Sequence, residues 1–430
     1  MKRISKIVLA FSMMLAVLIS SENFAFAEDG IITGSLNDSV TYSIDTASGE
    51  MTIHGYGEAK FEDAEDDDYG NSELPWRKNV VKSLVFGRGI SGISSSLIYS
   101  LDELESVYLG NSFFDTAPLR SLNHLKEIDV SSDNDYYTAE DGILYNKDMS
   151  VLYLVPRALK LDTFYVPSGV KVIEKYAFGT YGTDDGYSEG AEIKNIIFPK
   201  SVKRIGLNYV KNAERIFIFN KKCKLENWIG DDNNFCLSWC ATTYMVGAKY
   251  YDPDNDNDET VNKFAPLIYK NSRYYAIGKE EYEYTGKTIK PDFAAFNKNC
   301  RLLREKKDYK ITYSKGRKKV GKYSFTVKFK KGKDKKKKFY FSIIPTTVDF
   351  SKVSLKGRTL KLKWRKHAKE TTGFEIKYSP DGKKWKTVRI KNKKATSKTV
   401  RFNKSPKYWQ VNIRAYKVVK GKKYYSYWNI

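Results

Sequence analysis

The chain has 430 residues, with 75 Lys+Arg against 51 Asp+Glu and three histidines. That length excludes a single ordinary domain and calls for two to four folding units. The net charge of +24 hides a split: residues 28–250 carry 22 Lys+Arg and 34 Asp+Glu, net −12, whereas residues 251–430 carry 50 and 16, net +34, which excludes one uniform surface with one task.

The chain begins as a secretory signal peptide does. Lys2, Arg3 and Lys6 precede an apolar run at 7–20, and Ala25-Phe26-Ala27 is a small-x-small cleavage site, so cleavage is expected after Ala27. The apolar run is shorter than the ~18 residues that span a bilayer, and no later segment is apolar for long enough. The mature chain is therefore expected to be secreted or held at a cell surface, with no transmembrane segment.

Repetition comes next. "FYVPSGVKVIEKYAF" (164–178) is followed 32 residues later by "IIFPKSVKRIGLNYV" (196–210). Both place an apolar run before a proline (Pro167, Pro199), then a valine (Val170, Val202) and an isoleucine (Ile173, Ile205). Leu84/Phe86, Val107/Leu109 and Ile128/Val130 restart the pattern upstream, at intervals of 23 and 21 residues, with Gly87 in the place of the proline. Two apolar residues two apart make a short strand with one face buried. Such strands are too short to stand alone, and stacking at ~4.8 Å lets each cover its neighbour. The extra length before the second copy fits a polar insertion, "GTDDGYSEG", where added loop length is cheap.

These residues resemble the BspA-like, bacterial surface-antigen type of leucine-rich repeat, whose unit reads apolar-x-apolar-Pro-x-x-Val-x-x-Ile-x-x-x-Ala-Phe. "YVPSGVKVIEKYAF" follows it almost throughout, while the second copy departs at Tyr209 and Val210. "SSDNDYYTAEDGILYNKDMSVLYLVP" (131–156) is similar to a hairpin found between such repeats. "SVTYSIDTASGEMTIHGYGEA" (39–59) is similar to the family's N-terminal β cap, and 74–87 leads into the first repeat. The resemblance covers residues 28–248. It implies a mainly β fold, a leucine-rich repeat solenoid with an N-terminal β cap, and a protein or glycan recognition surface.

Four cysteines, Cys223, Cys236, Cys240 and Cys300, allow a local bridge or free thiols. The "CLSWC" spacing has no histidine nearby, so no zinc site is expected. Residues 249–264 read as an acidic linker. Asp252, Asp254, Asp256 and Asp258 alternate as in a calcium loop, but Asn257 and Lys263 stand where such a loop needs glycine and glutamate.

Residues 265–345 alternate as half-buried strands: Tyr309/Ile311/Tyr313, Tyr323/Phe325/Val327/Phe329 and Phe339/Phe341/Ile343, with turns at "SKGRKKVG" and "KKGKDKKKK". They resemble the small bacterial immunoglobulin-like module that follows such repeats, in the phrases "YTGKTIKP" and "DYKITY". Residues 346–430 suggest seven short strands with a tryptophan on an early one, a sandwich pattern. "LKLKWRK", "FEIKYS" and "VNIRAYKVVKGKKYYS" resemble a fibronectin type III module, with Trp409 where that family's tyrosine usually stands. Two small β-sandwich modules are thus expected after the repeats.

No catalytic constellation is legible. His54, His124 and His367 lie in three separate contexts, and "EDAEDDD" (62–68) reads as a solvated loop. No P-loop, GxSxG or HExxH occurs. We therefore expect a non-catalytic surface or adhesion-type protein with no cofactor and no metal. The repeats would present a recognition surface, and the basic modules would act as spacer or as electrostatic anchor to anionic envelope polymers or acidic glycans. The alternative is a secreted enzyme accessory or an undescribed hydrolase. The lysines singled out for anionic polymer are Lys335, Lys336, Lys337 and Lys338; lysine without arginine forks senses a field, not a sequence, so no specific nucleic-acid partner is expected.

Overall fold

The computed structural model describes residues 26–28, 30–60, 76, 80–101, 103–181, 188–206, 208, 210, 212–226, 242–246, 264–270, 273–332, 335–366, 369–406 and 408–429. The signal-peptide run, the 62–68 acidic loop, His367, Cys236, Cys240 and nearly all of the 249–264 linker lie outside these residues. Among the described residues the fold is almost wholly β; the helix Ser95–Tyr99 and the 3-10 turn Pro118–Ser121 are short. Among the described residues no helix is long and apolar enough to cross a membrane. The chain divides into two compact units, residues 1–122 with 130–135 and residues 123–129 with 136–430.

In the first unit the strands Ile31–Asn37, Val40–Asp45 and Glu50–Gly55 form an antiparallel meander. Ser83–Phe86 then joins in parallel, pairing Met51 with Leu84 and Ile53 with Phe86, and Ser106–Leu109 adds in parallel to that strand. The inward residues Ile44, Met51, Ile53, Leu84, Phe86 and Leu109 are fully or nearly fully buried. Gly110 has a steric reason: a Cβ there would meet the carbonyl oxygens of Phe86 and Gly87 at 2.5 Å, so the close stacking of adjacent strands needs glycine. Asn134 lies fully buried and donates to the Gly110 and Phe113 carbonyls at 2.7 and 3.0 Å, satisfying backbone that a turn would otherwise orphan.

The second unit opens with the hairpin expected at "EDGILYNKD". Tyr137–Glu140 pairs antiparallel with Ile143–Asn146, and Asp141 (φ 53°) and Gly142 (φ 77°) supply the left-handed turn. Two parallel ladders follow. One is a stack of two-residue strands, Val172–Ile173, Arg204–Ile205 and Lys224–Leu225. The other runs through Lys160–Tyr165, Glu192–Phe198, Arg215–Ile218 and Thr242–Val246. Phe164, Val170, Ile173, Phe178, Ile196, Val202, Ile205 and Val210 share one buried core between them. Ile173 pairs with Ile205 and Phe164 with Ile196, the register the sequence repeat implies. Asn208, buried, accepts from Phe178 N at 2.8 Å and donates to the Glu174 and Gly206 carbonyls at 2.9 Å.

The second ladder does not stop at residue 248. Phe264–Lys270 continues it in parallel, and Arg273–Ile277 and Phe293–Phe296 extend it antiparallel. Those last two strands are buried on both faces. Tyr274, Ala276, Ala294 and Phe296 pack on Ile197, Phe217, Phe219 and Tyr244. Tyr275, Phe293 and Ala295 pack on Phe325, Val327, Phe339 and Phe341. The boundary expected at 265 therefore divides the composition of the chain but not its packing: apolar residues on both sides of it fill one core.

Beyond lies a four-stranded sheet in the order Glu281–Glu283, Lys336–Ile344, Gly321–Phe329, Tyr309–Tyr313. Last come two facing sheets, Phe350–Lys356/Thr359–Trp364/Ser397–Arg401 and Lys386–Ile390/Gly373–Ser379/Gln410–Val419/Lys422–Tyr425. Leu360, Leu362, Trp364, Phe374, Ile376 and Ile413 form their core, where alternation sends every second residue inward, interrupted by a bulge between Phe350 and Lys352.

Candidate functional site

The four-stranded sheet has one apolar face, turned onto Tyr275 and Phe293, and one face open to solvent. On its three long strands the inward residues are Tyr309, Phe325, Val327, Phe329, Phe339, Phe341 and Ile343. Alternation then dictates the outward ones: Lys310 and Thr312; Lys322, Ser324, Thr326 and Lys328; Lys336, Lys338, Tyr340 and Ser342. Lys310 stands opposite Lys328, and Lys328 opposite Lys336, so three ammonium groups cross the sheet in one row. Lys338 continues the charge beside Thr326. Tyr340, 52% exposed, lies between Lys322 and Lys338, whose Nζ atoms are 4.9 and 5.4 Å from its ring centroid. Glu281, opposite Ser342 on the short edge strand, bounds the patch on one side. Among the described residues none of the five lysines makes an ion pair.

Like charges directly opposite across a sheet destabilise it by tenths of a kcal/mol per pair. Here a row of them is kept without counter-charge. Lysines on edge strands guard against edge-to-edge aggregation, but Lys322 and Lys328 lie on Gly321–Phe329, paired on both sides. What this row can do chemically is hold successive anionic groups of one ligand.

The four lysines singled out from sequence are not equivalent. Lys336 and Lys338 point outward into the patch. Lys337 has the opposite parity, opposite Val327, and is half-buried, and Lys335 precedes the strand and is exposed. Lys310, Lys322 and Lys328 were missed because the eye follows runs, whereas a strand gathers every second residue from neighbouring strands. The signal that would have found them was the alternation already seen in "YKITY" and "KYSFTVKF".

The outer face of the parallel ladder is covered by the chain's own residues between 274 and 302. Phe217 stacks on Tyr244 at 4.8 Å and meets Phe296 edge-on at 4.7 Å, and Phe219 meets Tyr274 at 4.6 Å. Arg301 lies 4.3 Å over the Tyr165 ring. A polar cluster closes the rim of this core. Arg215 Nε donates to Asn195 Oδ1 at 2.9 Å, Arg215 Nη1 reaches Asp292 at 3.4 Å, and the Tyr244 hydroxyl donates to Asp292 Oδ2 at 2.7 Å. Burial first, and the Asp292 charge second, push the Tyr244 hydroxyl far above the ordinary tyrosine range. Burial pushes Tyr282 up to about 12. Both hydroxyls stay protonated near neutrality and serve as fixed hydrogen-bonding groups.

The remaining titratable groups sit apart from one another. His54 Nε2 lies 3.2 Å from Ser43 Oγ of the neighbouring strand, partial desolvation between the strands lowers its pKa, and among the described residues no carboxylate orients its other nitrogen. A cavity of about 300 Å³ in the first unit is lined by Trp76, Val80, Val81, Tyr99, Ser100, Leu101 and Glu103. Its serine hydroxyl accepts from Trp76 Nε1 at 2.8 Å and donates to Leu97 O at 2.6 Å, and so is already engaged. Cys223 and Cys300 carry free thiols; burial pushes Cys223 up to about 12, which makes it a poor nucleophile. Among the described residues no three His, Cys, Asp or Glu side chains gather as a metal site would require.

No family model matches the chain, and no curated protein matches it. Solved structures do. One is a leucine-rich repeat protein from Eubacterium ventriosum, 17% identical, with 50% of this chain aligned to 68% of that one at a TM-score of 0.24. Another is the pneumococcal vaccine antigen PcpA, 12% identical, with 53% of this chain aligned to 95% of that one at a TM-score of 0.16. At such low structural agreement these likenesses say nothing about what this chain binds.

Proposed function

We propose that the chain is an exported, non-catalytic surface or adhesion-type protein whose basic modules grip an anionic polymer of a cell envelope. The observation that carries this reading is the row Lys310–Lys328–Lys336, extended by Lys338 and Lys322, on a solvent-open sheet face. The row is unpaired, spans three strands and is spaced by the ~4.8 Å between them. Binding of this kind draws on the field of many ammonium groups and on release of counterions from the polymer, so affinity falls steeply with salt. The acidic repeats, net −12, would not share it. Since the outer face of the later repeats is filled by residues 274–302, recognition by the repeat half is assigned to its other surfaces. The test is retention of the full mature chain on a purified anionic wall polymer at rising salt, beside the variant Lys310→Gln/Lys328→Gln/Lys336→Gln. Strong low-salt retention that disappears by ~0.5 M, and that weakens in the variant, supports the reading. No retention at low salt, or retention that survives high salt, defeats it.

A further inference from the structure

The two sheets at the C-terminal end treat charge in opposite ways. On the sheet of Lys386–Ile390, Gly373–Ser379, Gln410–Val419 and Lys422–Tyr425, four outward charges, Glu375, Lys377, Arg389 and Arg414, are held by one another or by aromatic rings. Glu375, 3% exposed, accepts from Arg389 Nε at 2.8 Å on one oxygen and from Arg414 Nη2 at 2.7 Å on the other. Arg414 lies between the Tyr425 and Trp428 rings, 3.9 and 4.2 Å from their centroids, and Lys377 between Trp385 and Trp428, at 4.9 and 4.8 Å. Cations alternate with aromatic faces, and little of either is left for a ligand.

The three-stranded sheet does the reverse. With Leu360, Leu362, Trp364 and Val400 in the core, and Val353 and Leu355 packed against it, the outward positions are Lys352, Ser354 and Lys356; Thr359, Lys361 and Lys363; Ser397, Thr399 and Arg401. All nine are Lys, Arg, Ser or Thr, and all but Thr359 are exposed. Lys352 stands opposite Lys363, and Lys363 opposite Ser397; Lys361 lies between Ser354 and Thr399. Among the described residues none of the five cations has a carboxylate partner. Edge protection does not explain it, because Lys361 and Lys363 lie on the central strand.

We infer that this sheet is a second, separate binding face, and that its ligand is an anionic polysaccharide. Four of the five cations, the lysines, meet its acidic groups as point charges, and Arg401 adds a planar fork that suits carboxylate or sulfate. The four interleaved hydroxyls, each a donor and an acceptor, match sugar hydroxyls, which a bare phosphate chain does not offer. No aromatic ring stands on this face, so base stacking has no platform and single-stranded nucleic acid is disfavoured. The inference stands on a different sheet from the proposed envelope anchor and holds whether or not that first face binds.

Wild-type full mature chain would be labelled with an amine-acetylating reagent, free and with a heparin-derived oligosaccharide as probe, and read by mass spectrometry. Lys352, Lys361 and Lys363 should be protected several-fold, while Lys391, Lys393 and Lys394 on the neighbouring loop should label equally in both states. The variant Lys352→Gln/Lys361→Gln/Lys363→Gln should elute from immobilised heparin at lower salt, with an unchanged or raised melting temperature because like charges are removed. The arginine counterpart should restore elution. If the three lysines label equally with and without probe, the face is not a site. If inorganic polyphosphate of matched charge displaces the oligosaccharide at equal concentration, the polysaccharide assignment is overturned and only charge is read. Loss of protection or retention confined to Lys310, Lys328 and Lys336 would leave the first face standing and sink the second.

Discussion

Two strand faces in the second unit look outward from their own cores and meet different fates. The outer face of the parallel ladder carries Ile197, Phe217, Phe219 and Tyr244, and the chain folds residues 274–302 over it. The outer face of the sheet Glu281–Glu283/Lys336–Ile344/Gly321–Phe329/Tyr309–Tyr313 carries lysine, serine, threonine and one tyrosine, Tyr340, and stays open. The covered face is spent on stability, since burying apolar surface is worth about 25 cal/mol per Å². The open face bears mutual repulsion, offset in part by the contacts of Lys322 and Lys338 with the Tyr340 ring, and under the proposed function it faces a partner outside the chain.

The covered face can be broken most easily. Phe217 is fully buried against two rings and the flanking strands, and Phe217→Ala should destabilise the second unit by about 3–5 kcal/mol. A denaturant melt that shifts by less than ~1 kcal/mol would mean that residues 274–302 do not rest on this face.

Glu375 gives the next largest effect. Burial alone would raise its pKa, but hydrogen bonds and charge from Arg414 and Arg389 outweigh burial and hold the carboxyl below its ordinary range. A folded pKa below the unfolded one contributes stability above the unfolded value, ~4.3, and loses it as pH falls through the folded value. Unfolding of the C-terminal module should therefore ease below about pH 4. Glu375→Gln should cost about 1–3 kcal/mol at neutral pH, discounted because both arginines are partly solvated. It should also flatten the acid limb of the pH profile. An unchanged acid limb would remove Glu375 as its cause.

Tyr244→Phe is milder. It keeps the stack on Phe217 and removes one hydrogen bond to Asp292, a loss of about 1 kcal/mol, measurable as a small change in midpoint without a change in slope.

How much of this was legible follows the range of each interaction. The repeat of Pro167/Val170/Ile173 with Pro199/Val202/Ile205 is written in the chain, because stacked strands reuse one pattern, and the structure pairs Ile173 with Ile205. Alternation at Tyr309/Ile311/Tyr313 announced a strand with one buried face. The strands of the repeat read as buried on one face, whereas the structure buries Ile197, Phe217 and Phe219 on the other face as well; what covers them includes Phe296, ~80 positions away from Phe217, and no local pattern encodes that partner. Asn208 and Asn134 were illegible for a similar reason: an asparagine that bonds distant backbone looks like any loop residue until the turn is seen. The lysine site was half legible. The run 335–338 is conspicuous, yet pleating moves Lys337 out of the patch and brings in Lys310, Lys322 and Lys328 from strands that read as ordinary.

The open face is tested most directly by removing equal charge from two places. Lys171, Lys203 and Lys224 are exposed on successive turns of the repeat and make a control for Lys310, Lys328 and Lys336. Each triple glutamine variant would be eluted from immobilised anionic wall polymer in a salt gradient beside the wild type. The account predicts that the Lys310/Lys328/Lys336 variant elutes earlier, with a salt dependence shallower by roughly 0.7–0.9 per lysine engaged, while the control variant elutes with the wild type. Equal shifts in both variants would show that only net charge is sensed and would contradict a site on the four-stranded sheet.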